Sequence, residues 1–180
     1  MKLRKYIVFF VVIAIVLMGF RWCVYNLMYP YKYKDIIKKY SVEYNLDPLL
    51  VLSVIKAESN FNTNAHSFKD AHGLMQITDS TAKWAAKEMN INYSDSSQLL
   101  DPQYNIHMGS WYLRNLRDEF QDMDLVIAAY NGGRGNVNKW LKDTKYSNDG
   151  KSLKYIPFKE TDKYLKKVKV NYNIYKFLYN

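Results

Sequence analysis

The sequence predicts an all-α fold, α+β at most, behind an N-terminal transmembrane helix. An uncharged apolar run covers residues 6–20, and the Asp-Pro pairs at 47–48 and 101–102 each supply an N-cap followed by proline at the first helical position. Outside 59–77, where a small hairpin would fit, no stretch alternates apolar and polar residues as half-buried strands do. The 180 residues accommodate one domain of about 140 to 150 residues and an N-terminal appendage.

The N-terminal segment is predicted to be a signal anchor. Residues 6–20 would span only about 22 Å as a helix, against a hydrocarbon core of about 30 Å. Apolar and aromatic residues continue past Arg21 to Tyr29, however, and the Arg21 side chain could snorkel to the interface. Residues 1–29 are therefore predicted to be a cytoplasmic tip and an uncleaved transmembrane helix.

Two other interpretations of this segment compete with the anchor. A cleaved signal peptide needs small residues at its processing site, and a lipid anchor at Cys23 needs them just before the cysteine. Residues 19–22, Gly-Phe-Arg-Trp, do not supply them. Basic residues at positions 2, 4 and 5 favour a cytoplasmic N-terminus, although further basic residues follow the span closely and weaken this asymmetry.

Beyond the anchor, residues 30–34 form a predicted Pro/Tyr/Lys tether to a helical domain. Residues 48–58 are apolar nearly all round, which predicts the central buried helix of that domain. The other predicted helices cover about 35–44, 80–89 (capped by Asp79 or Ser80), 101–120, 123–129 and a C-terminal segment ending near 178, with a glycine-rich turn at 130–135 and polar connectors at 90–100 and 143–154.

Composition and charge exclude several classes of function. The formal charge of +9 would suit nucleic acid, anionic lipid or an acidic polymer, but no helix-turn-helix, zinc-finger or RNA-binding signature accompanies it. Nucleic acid is therefore not expected as a partner. One cysteine and three scattered histidines, His66, His72 and His107, provide no cluster with metal-ligand spacing, so neither a metal site nor a cofactor is expected.

Glu58 is the candidate general acid. It follows the apolar run 49–55 at the C-terminal end of the predicted central helix, where the negative end of the helix dipole opposes its ionisation. Apolar neighbours add a desolvation cost, and both effects raise the pKa of a carboxyl group. A carboxylic acid that keeps its proton near neutral pH is suited to protonating a leaving group.

Three ordered motifs carry a resemblance to a known family. They are Glu58-Ser59, Gly73-Leu74-Met75-Gln76-Ile77 and Ala129-Tyr130-Asn131-Gly132. Over residues 35–178 the chain resembles the soluble lytic transglycosylase family, which has a lysozyme-like fold and cleaves the glycan strands of peptidoglycan. The resemblance implies a catalytic domain over 35–180 with peptidoglycan as its partner. It also implies a single-pass protein of the cell membrane whose catalytic domain is extracytoplasmic, because the substrate lies there.

The resemblance also implies roles for individual residues. Glu58 would be catalytic, and Gln76 would reach substrate in the cleft. The implied substrate-binding residues are Ser59, Ser67, Met75, Gln76, Tyr130, Asn131, Glu160 and Tyr164. Two positions depart from the family pattern, because Thr78 stands where methionine is common and Asp162 stands near a common arginine. A hydrophobic contact to the sugar and contacts to the substrate peptide are therefore not implied.

The implied reaction is non-hydrolytic cleavage between N-acetylmuramic acid and N-acetylglucosamine, with Glu58 acting first as acid and then as base. The muramic acid N-acetyl group or 6-hydroxyl takes the place of the second carboxylate of a two-carboxylate glycosidase, and 1,6-anhydro ends result. Two alternatives stay open. A hydrolytic muramidase like goose-type lysozyme would need a second carboxylate, for which Asp70 is nearest in sequence. A catalytically inactive, membrane-tethered wall-binding protein would keep the fold without turnover.

Overall fold

The computed structural model describes residues 2–180, and the predicted helical architecture is confirmed. Its α-helices are α1 (Lys2–Cys23), α2 (Lys34–Glu43), α3 (Pro48–Glu58), α4 (Asp79–Met89), α5 (Pro102–Phe120), α6 (Met123–Gly132), α7 (Arg134–Lys142) and α8 (Lys159–Tyr179). A π-helical turn covers Val24–Met28, and a 3-10 helix covers Ser96–Leu100. Two short strands, β1 (Ala71–His72) and β2 (Ile77–Thr78), form an antiparallel ladder.

Helix α1 and the π-helical turn after it form one long apolar element. Residues Arg4–Met28 are long and apolar enough to cross a membrane, and the most apolar part of this helix is not buried against the rest of the protein. Its 25 residues extend about 37 Å, which exceeds a hydrocarbon core of about 30 Å. A membrane span and a signal sequence both match this helix by length and composition.

A tyrosine junction joins the end of this apolar element to the C-terminal helix α8. The Tyr179 hydroxyl donates to the Tyr29 carbonyl oxygen at 2.7 Å, and the Tyr175 hydroxyl donates to the Pro30 carbonyl oxygen at 3.3 Å. The rings of Tyr29 and Tyr175 also meet edge to face, with centroids 5.5 Å apart. The start of residues 30–34, predicted as a tether, is therefore packed against α8.

Helix α3 is the central helix of the core, as predicted. Its buried face includes nearly all of its apolar residues, and it packs against α8, which packs in turn against α6. Buried Ser53 donates its hydroxyl to the Leu49 carbonyl oxygen at 2.5 Å, which satisfies this polar group within the helix. Lys167 of α8 donates to the Ala57 carbonyl oxygen at 2.5 Å, so α8 also holds the C-terminal end of α3.

The small hairpin predicted within 59–77 is confirmed, and α5 braces it. Gly73 begins its turn with φ +75°, and a Cβ atom there would lie 2.1 Å from the Leu99 carbonyl oxygen, so only glycine fits without rearrangement. Asn105 of α5 donates its amide to the carbonyl oxygens of His72 at 2.9 Å and Leu99 at 2.8 Å. The Asn105 amide oxygen accepts from Met75 N at 2.7 Å.

The stretch predicted as a glycine-rich turn differs from the structure. Helix α6 continues through Gly132, and α7 begins directly after Gly133. Within residues 130–135, only Gly133 has a positive φ, of +88°. Sequence reasoning did not identify α7, because the glycines at 133 and 135 indicate a turn and only Val137 and Trp140 of this short helix are buried.

The N-cap of α4 is also one residue earlier than predicted. Thr78, not Asp79 or Ser80, has extended backbone geometry and accepts from Thr81 N through its hydroxyl at 3.3 Å. Asp79 instead pairs with Lys83 one turn along the helix. The threonine at the end of β2 therefore starts α4 as well.

Candidate active site

Glu58 is the last residue of α3 and lies at the edge of the core. Its side chain keeps partial solvent exposure, yet enough protein surrounds the carboxyl for burial to raise its pKa from 4.5 to about 7. The Tyr164 hydroxyl and the Lys167 ammonium lower this pKa, and Glu160 raises it, each by less than burial does. The carboxyl is thus partly protonated at neutral pH. The desolvation predicted from its neighbours is confirmed, whereas the helix-dipole contribution stays a prediction.

Tyr164 on α8 places a buried hydroxyl beside Glu58. Among the residues that the structure describes, this hydroxyl has no hydrogen-bond partner of standard geometry, although its proximity is enough to affect the pKa of Glu58. Burial and the Glu58 carboxylate raise the pKa of Tyr164 well above its ordinary value, so the hydroxyl keeps its proton. Buried hydroxyls without partners are uncommon, and this one leaves a donor available next to the acid.

Tyr130 on α6 connects the hairpin turn to the opposite wall of a cleft, which is lined by residues of the hairpin, α5 and α6. Its hydroxyl donates to the Met75 carbonyl oxygen at 2.8 Å, and its ring lies against Tyr112 of α5 with centroids 5.4 Å apart. Burial, followed by the nearby Glu58 carboxylate, raises the pKa of Tyr130 well above its ordinary value. The phenol is therefore a neutral element of the wall that positions the turn.

Gln76 occupies the hairpin turn with a left-handed φ of +49°. Its side-chain amide nitrogen donates to the carbonyl oxygens of Ala65 at 3.1 Å and Gly73 at 3.0 Å. Both bonds use the amide nitrogen and hold the side chain in place. The residue lines the cleft, and its amide oxygen can still accept from a ligand.

Three predicted substrate-binding residues make internal contacts. The Ser59 hydroxyl donates to the Leu74 carbonyl oxygen at 2.8 Å, and the Ser67 hydroxyl accepts from Ala71 N at 3.2 Å. The Met75 side chain is fully buried in the core. These side chains hold the loop of residues 60–72, which borders the cleft, and none of the three lines the cleft itself.

The remaining predicted residues lie where α6 and α8 meet the loop. Asn131 lines the cleft, and its amide oxygen accepts from the Thr161 hydroxyl at 2.9 Å. Glu160 is exposed on the first turn of α8 and forms an ion pair with Lys69 of the loop at 3.3 Å. This pair bridges the loop and α8.

The cleft has a volume of about 310 Å³, within the range of small-ligand sites. Its walls come from the loop, the hairpin, α4, α5 and α6, and the lining residues are Lys69, Gln76, Ile77, Thr78, Thr81, Tyr112, Tyr130, Asn131, Gly132 and Gly133. Sequence reasoning missed Lys69, Thr81 and Tyr112. Tyr112 could have been suspected, because it is an aromatic residue between Trp111 and Leu113, two buried apolar positions of α5; the other two carry no sequence signal.

Two further surface cavities, of about 270 and 310 Å³, involve residues of α6 and α8. They contain Asp124 and neighbouring side chains but none of the residues that the motifs predicted. Residues of the second and third motifs therefore line the cleft and not these two cavities.

The loop also brings together three metal-ligating side chains, His66, Asp70 and His72, whose ligand atoms lie within 4.8 Å of one another. Hydrogen bonds from His66 and, to a smaller extent, from His72 lower the pKa of Asp70. Asp70, the nearest candidate in sequence for a second carboxylate, is exposed and engaged with these imidazoles. The histidine spacing in the sequence did not indicate this grouping.

Comparison with known proteins agrees with the geometry. The family described as Transglycosylase SLT domain matches residues 35–153. The chain belongs to this family. The soluble lytic murein transglycosylase of Escherichia coli K12 is 35% identical over 143 residues, which are 78% of this chain and 22% of that protein. The membrane-bound lytic murein transglycosylase C of Photorhabdus laumondii is 36% identical over 126 residues, 64% of this chain and 35% of the relative.

Solved structures of SLT proteins share the fold. The 70 kDa soluble lytic transglycosylase of Escherichia coli superposes with a TM-score of 0.74 at 33% identity, over 83% of this chain and 25% of that one. The lytic transglycosylase Slt of Pseudomonas aeruginosa, solved as an inactive mutant, gives 0.73 at 30% identity, over 83% and 24%. The lysozyme-like SLT fold is therefore confirmed. The chain spans about a fifth to a third of the length of these relatives.

Proposed function

We propose that this SLT protein is a membrane-anchored lytic transglycosylase. It cleaves the bond between N-acetylmuramic acid and N-acetylglucosamine in peptidoglycan without water and leaves 1,6-anhydromuramic ends. The observation that carries the proposal is the Glu58 carboxyl, which burial brings to a pKa of about 7 and which lies close enough to Tyr130 of the cleft wall to raise the pKa of that phenol.

In the first half of the reaction Glu58 is the general acid. The protonated carboxyl donates its proton to the glycosidic oxygen, the bond from that oxygen to the muramic C1 breaks, and positive charge develops at C1. The substrate N-acetyl carbonyl stabilises that charge. Burial raises the pKa of Glu58 by more than Lys167 lowers it, so the acid is not held fully ionised.

In the second half Glu58 is the base. Its carboxylate takes the proton from the muramic 6-hydroxyl as that oxygen attacks C1, which closes the anhydro ring and restores the acid. No second carboxylate is needed. The acidic side chain that most affects Glu58 is Glu160, which is exposed and paired with Lys69, and Asp70 is paired with His66 and His72.

Substrate contacts are assigned to side chains of the cleft. Gln76 and Asn131 supply amide groups, Tyr130 supplies a ring face, and the unpartnered Tyr164 hydroxyl supplies a donor beside the acid. Glu160 borders the site through its pair with Lys69. Ser59, Ser67 and Met75 contribute by holding the loop.

The relatives support the same reaction class. Two of them bear the name lytic murein transglycosylase, in a soluble and a membrane-bound form. The Pseudomonas structure is of an inactive mutant in which glutamine replaces a glutamate. This is the substitution that the proposal applies to Glu58.

For location, we propose that α1 crosses the cell membrane once and that residues 35–180 form an extracytoplasmic catalytic domain. The support is the apolar span Arg4–Met28 and the membrane-bound relatives. Protease digestion of a C-terminal tag on intact, wall-stripped cells tests this arrangement. A tag that is degraded without lysis fits the proposal, whereas a tag protected until lysis reverses the orientation.

The reaction is tested with the full chain purified in detergent, using isolated peptidoglycan in water labelled with oxygen-18. Mass spectrometry is expected to find anhydro-muropeptides without the label for the wild type, and none for Glu58→Gln. Labelled reducing muramic ends would instead identify a hydrolytic muramidase. Glycan binding without any product, by a chain that circular dichroism shows to be folded, would identify a wall-binding protein.

A further inference from the structure

We infer that His66, Asp70 and His72 form a binding site for a divalent transition metal ion of the zinc type. The inference does not depend on the proposed glycan cleavage. It rests on a cross-strand pair of imidazoles and a carboxylate placed between them.

The backbone places the two histidines on one face. His66 and His72 form an antiparallel bridge, which is flanked by the bonds from Ser67 N to Ala71 O at 3.0 Å and from Gly73 N to Ala65 O at 2.9 Å. A pair flanked in this way exchanges no backbone bonds itself, and such pairs bring side chains closest together. The two rings accordingly lie nearly parallel, with centroids 4.5 Å apart.

The carboxylate completes a convergent set of ligands. Asp70 lies in the turn between the histidines with φ +56°, and its Oδ1 is 3.1 Å from His66 Nε2 and 3.0 Å from His72 Nε2. Ligand atoms on a tetrahedral zinc ion, with bonds of about 2.0 to 2.2 Å, are about 3.3 Å apart. A small outward movement of the exposed side chains would therefore open room for the ion, with water as a fourth ligand.

The ligand types select the class of metal. Two imidazoles and one carboxylate suit zinc, copper or nickel rather than calcium or magnesium, which prefer oxygen ligands. The surrounding protein also restrains His72, because its side chain is mostly covered and its carbonyl oxygen accepts a hydrogen bond from the Asn105 amide. Such support lowers the entropic cost of assembling the site.

A bound ion would fix the loop that borders the cleft. Lys69, which lines the cleft and pairs with Glu160, lies next to Asp70 within the segment that the metal would close. The metal is thus assigned a structural role in ordering Lys69, not a role in the chemistry at Glu58.

The test titrates zinc into the full chain in non-ionic detergent, purified without a polyhistidine tag and freed of metal with chelator. Calorimetry is expected to show one ion per chain and a rise of several degrees in melting temperature. Cobalt in place of zinc is expected to give the visible spectrum of a four-coordinate site.

Two substitutions of exposed ligand side chains and one control substitution test the proposed site. His66→Ala and Asp70→Asn are each expected to weaken zinc binding at least tenfold, while His107→Gln, which removes the remaining histidine on α5, leaves the affinity unchanged. Equal zinc affinity in wild type and His66→Ala would overturn the site. So would the absence of any saturable binding by the folded wild type, and the cluster would then be an ion pair alone.

Discussion

Glu58 ends α3 and Asp70 lies in the loop that follows it, and the surroundings of these two carboxyl groups shift their pKa values in opposite directions. Burial at the end of α3 raises the pKa of Glu58 to about 7, whereas hydrogen bonds from two imidazoles lower the pKa of exposed Asp70. Burial removes water from the Glu58 carboxyl. The Asp70 carboxyl stays exposed to water and gains two hydrogen-bond partners. Desolvation, not proximity to the cleft, therefore separates the group suited to move a proton from the group suited to hold a cation.

The largest effect that can test this contrast is the loss of the acid. Glu58→Gln should lower the rate of muropeptide release by about 10² to 10⁴-fold, the usual contribution of a general acid. Asp118→Asn, which changes an exposed carboxyl on α5 paired with Arg114, should stay near the wild-type rate. Equal rates for Glu58→Gln and wild type would remove Glu58 from the chemistry.

The hairpin turn that follows both carboxyl groups in the sequence offers a second test. Gly73→Ala would place Cβ 2.1 Å from the Leu99 carbonyl oxygen in a left-handed backbone conformation, and we expect a loss of about 3 kcal/mol or more in the free energy of unfolding. Gly135→Ala, where nothing lies within 4 Å of the added Cβ, should be neutral or slightly stabilising. Denaturant unfolding measures both, and an unchanged midpoint for Gly73→Ala would contradict the tight turn.

The opposite pKa shifts predict opposite dependence of stability on pH. The folded pKa of Glu58 is raised from 4.5 to about 7, so its favourable contribution is complete below about 4.5 and is lost as pH rises through about 7. Glu58→Gln should therefore stabilise the protein at pH 8 by up to about 3 kcal/mol, from 1.36 kcal/mol per pKa unit, and by much less at pH 5.

For Asp70 the sign reverses. Its folded pKa is lowered, so its contribution is present above the unfolded pKa of about 3.9 and is lost on acidification through the folded value. Asp70→Asn should destabilise slightly at pH 7 and not at all once the carboxyl is protonated in both states. Denaturant midpoints that moved in the same direction for Glu58→Gln and Asp70→Asn at pH 8 would contradict the comparison.

The smallest effect concerns the unpartnered hydroxyl. Because Tyr164 opposes the effect of burial on the pKa of Glu58, Tyr164→Phe should move the alkaline limb of the pH–rate profile to higher pH. The loss of a hydrogen-bond donor beside the acid should lower the rate about tenfold. Tyr172→Phe removes an exposed hydroxyl bonded to Asp47 and should leave the profile in place. A lower rate with an unshifted profile would make Tyr164 a packing residue only.

Sequence reasoning succeeded where structure is decided locally. The Asp-Pro pairs start α3 and α5 as predicted, because Asp47 and Asp101 accept from backbone N–H groups of the first turn. The apolar circumference of α3 also predicted its burial, and with it the raised pKa of Glu58.

Sequence reasoning failed where the structure depends on contacts between residues that are distant in the chain. Met75 lies in the core because Gly109 of α5 leaves room for its sulfur, which no local pattern indicates. His66 and His72 meet through strand pairing, which depends on the register of the loop rather than on their spacing. The partnerless hydroxyl of Tyr164 likewise depends on how α8 packs against α3.

The tyrosine junction limits the distance between the cleft and a membrane that α1 would cross. Tyr179 and Tyr175 clasp Tyr29 and Pro30 where the apolar element ends, while Tyr164 stands beside the acid on the same helix. Along α8, Tyr164 and Tyr179 are about 22 Å apart. An anchor at α1 would therefore keep the cleft within a few nanometres of the lipid surface. Under the proposed function, the protein would reach only the glycan that comes this close, however thick the wall beyond it.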